Sequence, residues 1–188
     1  MFITSKPTAL VAACGGYIGS AMAIPTDSCL VLDPINKRWD ESRMGSLTMK
    51  RGYSAAATLD HIGVFIVGGV YSNNAGTSEF LAAGTMQWQE GPALPVDMTS
   101  PCAVTISLTS FLVIQRTHIR EFDAAIAGPT SIEGWQEAGR WPALKTSRTY
   151  WPGCAKIGDK VIIAGGHDRG ALSSPEELDL VNRQITPS

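Results

Sequence analysis

The sequence carries little charge and no excess of either sign: 15 Lys and Arg stand against 17 Asp and Glu, a formal net charge of −2. Nucleic-acid binding needs concentrated basic side chains, so no nucleic-acid partner is expected. No apolar run approaches the ~20 residues of a membrane helix, and no membrane association is expected either. Histidine occurs only at His61, His118 and His167, without the close His or Cys spacing that marks a metal site. The four cysteines, Cys14, Cys29, Cys102 and Cys154, are too scattered for a metal knuckle and too few for a disulfide framework. Cys102 and Cys154, in corresponding inner strands, read as small buried packing residues, and with no Asn-x-Ser/Thr acceptor in the chain the expected setting is reducing and cytoplasmic. A Gly-x-Ser-x-Gly elbow is missing and no serine adjoins a histidine, so no hydrolytic nucleophile is expected. No catalytic residue, metal or cofactor is expected, and the chain reads as a non-enzyme.

What the sequence does contain is a repeat. A short apolar strand closed by Gly-Gly, with Trp about twenty residues later, stands as Val11–Gly16 with Trp39 and as Val64–Gly69 with Trp88. A third copy, Phe111–Arg116 with Trp135, has Gln115 and Arg116 in place of the glycines. The fourth, Val161–Gly166, has Ile185 where the tryptophan should fall. The first glycines, Gly15, Gly68 and Gly165, and Gln115 between them are successively 53, 47 and 50 residues apart. A period near fifty means stacked copies of one supersecondary unit. One domain over 1–188 is expected, with repeats at about 1–47, 48–97, 98–145 and 146–188.

Each unit reads as four short strands. Tyr53–Leu59 is a first strand rich in small residues, and Val64–Val67, apolar throughout, is a second strand with both faces buried. Gly153–Ile157 and Lys160–Ala164 repeat the pair around a Gly158-Asp159 hairpin turn. In the first unit Met1–Thr4 is the candidate inner strand. Third strands are expected at Cys29–Asp33, Glu79–Leu81, Ile119–Asp123 and Glu177–Leu180. Fourth strands carry the tryptophans, at Arg38–Glu41, Gln87–Glu90 and Gly134–Glu137, where a large ring can cover the junction between neighbouring sheets.

The Gly-Gly strand ends Gly15-Gly16, Gly68-Gly69 and Gly165-Gly166, with Trp39, Trp88 and Trp135, resemble the kelch repeat. Cys29-Leu30-Val31-Leu32-Asp33-Pro34-Ile35-Asn36-Lys37-Arg38-Trp39 follows that family's second half closely, and Arg51 and Arg148 fit the basic residue that opens a unit. The resemblance spans essentially the whole chain and implies an all-β, kelch-type β-propeller of about four blades, each a four-stranded antiparallel sheet. Four blades raise a question of closure, answered by a tight four-bladed ring, by neighbouring blades beyond this sequence, or by self-association, since exposed sheet edges invite pairing.

Two rival readings start from the same residues. Leu10–Cys14 with Gly15-Gly16-Tyr17-Ile18-Gly19 has the outline of a dinucleotide loop, with Asp33 as the ribose acid; Pro25 breaks the helix this needs, and the glycine spacing departs from the fingerprint. Lys6, the apolar stretch Ala9–Cys14 and Ala21-Met22-Ala23 outline a secretion signal, but the same strand–glycine unit returns deeper in the chain.

Propeller loops are the variable part of a rigid frame, which is where recognition is carried. The loops after the second strands hold Tyr17, Tyr71, Asn73, Arg116, His118, His167 and Arg169; the links into the first strands hold Arg148, Tyr150 and Trp151, with Tyr53 in the matching stretch. The resemblance implies that both loop sets share one face, with a protein or peptide ligand as partner and a substrate-adaptor or cytoskeletal role. The alternative is a metal- or cofactor-dependent propeller enzyme; galactose-oxidase-like propellers hold copper, but no Tyr, Cys and His set here maps onto such a site.

Overall fold

The computed structural model describes residues 2–3, 11–19, 24–70 and 74–187. The protein is all-β, its strands falling into four successive antiparallel sheets, which we number I to IV, and a short accessory ribbon.

Sheet I orders β1 (Phe2–Ile3), β2 (Ala12–Cys14), β5 (Cys29–Asp33) and β6 (Arg38–Asp40); the ribbon β3 (Tyr17–Ile18) and β4 (Ile24–Pro25) lies between β2 and β5 in sequence. Gly15-Gly16 runs directly into strand β3, paired with β4, where the rival reading has a phosphate loop; Ser20–Ala23, where that reading opens a helix, lie outside the described residues. Sheet II is a meander of β7 (Ala55–Leu59), β8 (Gly63–Val67), β9 (Ser78–Ala82) and β10 (Trp88–Glu90). Sheet III has β11 (Cys102–Thr105), β12 (Ser110–Gln115) and β13 (His118–Asp123). Sheet IV repeats the four-strand order with β14 (Gly153–Ile157), β15 (Lys160–Ala164), β16 (Glu176–Asp179) and β17 (Gln184–Pro187).

Sheet III departs from the expected four strands. The stretch from Asp123 to Trp135 folds into a helical turn, α1 (Ala124–Ala127), and a 3-10 turn at Ile132–Gly134. The Asp123 carboxylate starts the first by accepting the Ala125 N–H at 3.0 Å, as an N-cap does. Trp135 therefore pairs with the sheet through an isolated antiparallel bridge to Phe122 in place of a full strand, its ring packing edge-on against Phe111 and Phe122.

Side chains alternate across each strand, so every sheet has two faces, and the core lies in the three junctions between successive sheets. Ala12, Cys14, Cys29 and Val31 of sheet I meet Val64, Ile66, Leu81 and Trp88 of sheet II. Phe65, Val67 and Phe80 of sheet II meet Phe111, Val113 and Phe122 of sheet III, with ring centroids 5.0 Å apart for Phe65–Phe111 and 5.3 Å for Phe65–Phe122. Leu112, Ile114 and Ile119 of sheet III meet Val161, Ile163 and Leu178 of sheet IV. Each fully buried Phe or Ile contributes roughly 2–3 kcal/mol of transfer free energy.

The glycine pairs belong to these junctions. Gly15 and Gly68 have φ of +65° and +64°, and an added Cβ would lie 2.8 Å and 2.2 Å from the carbonyl oxygens of Arg51 and Met98, in the links to the next sheet. The second glycine's N–H straps the sheets together, Gly16 to the Arg51 carbonyl at 2.6 Å and Gly69 to the Met98 carbonyl at 2.9 Å. In sheet III Arg116 takes this place with φ +56°, its N–H on the Arg148 carbonyl at 2.8 Å.

The expectation for the cysteines is corrected. Cys14 and Cys29 are register partners on β2 and β5 and form a disulfide; Cys102 and Cys154, on the first strands of sheets III and IV, form a second across the junction. The feature that made them look like matched packing residues, their equivalent positions, is what brings the second pair together. Closing a 52-residue loop, Cys102–Cys154 is of the type that stabilises by about 4 kcal/mol through the unfolded chain.

Candidate functional site

The residues with the most chemistry at the surface lie where loops of sheets I, II and IV converge. The ring of Tyr17, on β3, lies 5.2 Å from that of Tyr53, just before β7. Tyr53 lies 5.7 Å from Trp151, just before β14, in an edge-on arrangement. Trp151 in turn lies 5.7 Å from Tyr150 and 6.4 Å from His167. Aromatic pairs at such spacings add about 0.5–1.5 kcal/mol beyond burial. The rings are nonetheless open to solvent: Tyr53 is 37%, Tyr150 43% and Trp151 54% exposed.

The backbone presents them deliberately. Tyr53 and Trp151 have φ of +56° and +54°, a region that bulky residues rarely occupy and that costs on the order of 1–3 kcal/mol. Both occupy the same place, two residues before the first strand of their sheet. Gly52 makes room for the cluster, since a Cβ there would fall 2.0 Å from the Tyr17 ring. Partial burial, and after it the neighbouring Tyr53 phenol, raises the Tyr17 pKa above the ordinary tyrosine value, so the hydroxyl is a neutral hydrogen-bonding group at physiological pH.

Polar groups border the rings. The loop from Gly166 to Leu172 is closed by the Leu172 N–H on the Gly166 carbonyl and the Asp168 N–H on the Gly170 carbonyl, both at 3.0 Å, with exposed Arg169 at its tip. The Thr149 hydroxyl donates to the Asp168 carboxylate at 3.0 Å, and Tyr150 and His167 form a β-bridge that ties the loop to the link. Arg116 is exposed and bridges Arg148 through backbone bonds; His118 is half-buried at the start of β13. Tyr71 and Asn73 lie outside the described residues. Among the described residues no three His, Cys, Asp or Glu side chains gather as metal ligands.

Arg148 is the correction. Expected in the binding rim, it is fully buried, its guanidinium donating to the carbonyls of Gly165 and Ser174 and pairing with Glu176 at 3.4 Å. Glu176 also accepts the N–H groups of Lys145 and Thr146, at 2.7 and 3.1 Å. Sheet II has the same lock: Arg51 Nε donates to Glu79 at 2.8 Å and Nη1 to the Gly68 carbonyl at 3.0 Å, while Glu79 accepts from Thr48 and Met49 N–H. Buried charge is tolerated there because each ion is paired and its remaining donors or acceptors are largely used. The missed signal was spacing, since each glutamate follows its arginine by 28 residues. In sheet III, Gln115, in the first-glycine position, stands in for the lock: its amide donates to Thr99 Oγ1 at 2.9 Å and the Thr149 carbonyl at 2.6 Å. These locks fix the links, and the links carry Tyr53, Tyr150 and Trp151.

No protein-family model matches the chain, and a comparison with curated proteins finds no match.

Proposed function

We propose that this chain is a four-blade kelch-type β-propeller arc acting as a non-catalytic recognition module, which binds a protein or peptide through its aromatic face. The fifty-residue period, the meander order of sheets II and IV and the glycine straps between sheets support the propeller reading. The observation that carries the functional reading is the run Tyr17–Tyr53–Trp151–His167, exposed from Tyr53 onward and held by two bulky residues in left-handed backbone. Tyrosine, tryptophan and arginine are the side chains that dominate binding energetics at protein interfaces, and here they stand rigidly presented with Arg116 and Arg169 nearby. Two disulfides in 188 residues favour an oxidising compartment over the cytoplasmic setting expected from composition.

Peptides selected from a random display library on the immobilised protein test this reading. Trp151→Ala is expected to weaken the selected peptides by about 30-fold, the loss of one true anchor, with the melting temperature held within a few degrees. Selected binders indifferent to Trp151→Ala and Tyr53→Ala would remove the aromatic face as the site.

A further inference from the structure

The main chain that borders Trp151 has already used its acceptors. The Arg148 carbonyl accepts the Arg116 N–H at 2.8 Å, the Thr149 carbonyl the Gln115 side-chain amide at 2.6 Å, and the Tyr150 carbonyl the His167 N–H at 2.9 Å. On the loop side the His167 carbonyl accepts from Tyr150 N–H at 3.1 Å and the Gly166 carbonyl from Leu172 N–H at 3.0 Å. Link and loop thus pair with each other and do not offer their edges to an incoming strand. The Asp168 carboxylate is itself held by the Thr149 hydroxyl at 3.0 Å.

What faces outward is donors and rings. Trp151, 54% exposed, brings an indole N–H, and Tyr150, 43% exposed, a hydroxyl. The guanidiniums of exposed Arg116 and Arg169 enter no ion pair among the described residues. Indole and guanidinium groups donate and cannot accept. The rings are not coplanar, either. Trp151 stands at 61° to Tyr53, 62° to His167 and 42° to Tyr150. Rings at such angles make ridges with clefts between them, not one flat platform.

A ligand suited to this surface supplies carbonyl acceptors and compact apolar rings, and brings few N–H groups of its own. A donor carried into the site meets carbonyls already taken and loses its water without repayment. Proline meets all three conditions, since it has a carbonyl, a pyrrolidine ring and no N–H. In a polyproline II helix the carbonyls stand free of internal bonds, and the preset backbone loses little freedom on binding. We propose that the segment recognised is proline-rich and enters as a polyproline II helix. Its pyrrolidine rings occupy the clefts beside Trp151, and its carbonyls accept from the Trp151 indole, the Tyr150 hydroxyl and the two arginines. This inference rests on the aromatic face being the binding site and narrows what that face binds.

Peptides selected on the immobilised, disulfide-bonded full chain are sequenced, and enriched ones are resynthesised with a fluorescent label for anisotropy titration. Proline is expected at two positions three residues apart, the repeat of one polyproline II turn. Alanine in place of such a proline restores an N–H and is expected to raise the Kd about tenfold. Sarcosine, N-methylated and without that N–H, should raise it less than about threefold. Trp151→Phe keeps a ring but not the indole N–H; it should weaken the same peptides about fivefold, with the melting temperature unchanged because the side chain is exposed. Peptides that depend on Trp151 yet carry no enriched proline overturn this proposal and leave the aromatic face as the site. So does alanine tolerated at every enriched proline, or sarcosine no better than alanine. Cellohexaose bound through Trp151, with no peptide selected, overturns it in favour of a glycan. Binders indifferent to both Trp151→Ala and Tyr53→Ala remove the site, and this inference with it.

Discussion

In sheet II the second strand, Gly63–Val67, is buried at every residue; in sheet IV its counterpart, Lys160–Ala164, is buried only at Val161 and Ile163. The two strands come from matching stretches of the repeat and share the strand–Gly-Gly ending, the hairpin before them and the arginine–glutamate lock beside them. Their difference lies in neighbours. Among the described residues, sheet II is covered by sheets I and III, while sheet IV is covered by sheet III alone. A repeat unit of this kind cannot bury both of its faces by itself, so burial is a property of position in the stack and not of the unit's own sequence.

Core truncation should separate the two most widely. Phe65→Ala removes a ring packed on Phe80, Phe111 and Phe122 and is expected to cost about 4 kcal/mol in urea unfolding, against about 1 kcal/mol for Ile162→Ala. Equal costs would mean that sheet IV is covered on both sides in the single chain.

The locks should differ by less. Arg51→Met strands Glu79, fully buried, and is expected to cost roughly 3 kcal/mol or more, because an uncompensated carboxylate is left inside. Arg148→Met is expected to cost about half as much, since its ion pair is longer, 3.4 Å against 2.8 Å. It should leave peptide binding at Trp151 intact if the neighbouring link keeps its shape; a selective loss of binding without loss of stability would return Arg148 to the site.

Much of the fold is legible in the sequence. Cys29–Asp33, Gly153–Ile157 and Lys160–Ala164 form strands with the expected ends, because apolar runs bounded by Asp, Pro and Gly leave the backbone few other choices. The turn Asp33-Pro34-Ile35-Asn36 closes as its residues imply, with the Asp33 carboxylate accepting from the Asn36 side chain and backbone and from Ile35 N–H, which holds its pKa below the ordinary 3.8. What escaped were the long-range pairings. Cys14 meets Cys29 only once β2 and β5 take their register, and a one-residue slip would turn them apart. The fourth strand expected around Trp135 does not form, because the helical turns before it take up the chain. Arg148, judged by residue type, reads as a surface cation; its burial follows from its pairing with Glu176, at the start of β16. Of the aromatic site, Tyr17, Tyr150, Trp151 and His167 were legible, whereas the role of Tyr53 as the ring joining Tyr17 to Trp151 emerges only from the stacking of sheets.

Hydrogen exchange by mass spectrometry addresses the position-in-stack account most directly. β8 and β12 should exchange only through global unfolding, while β14 exchanges about a hundredfold faster. Contradiction would take the form of β14 as protected as β8.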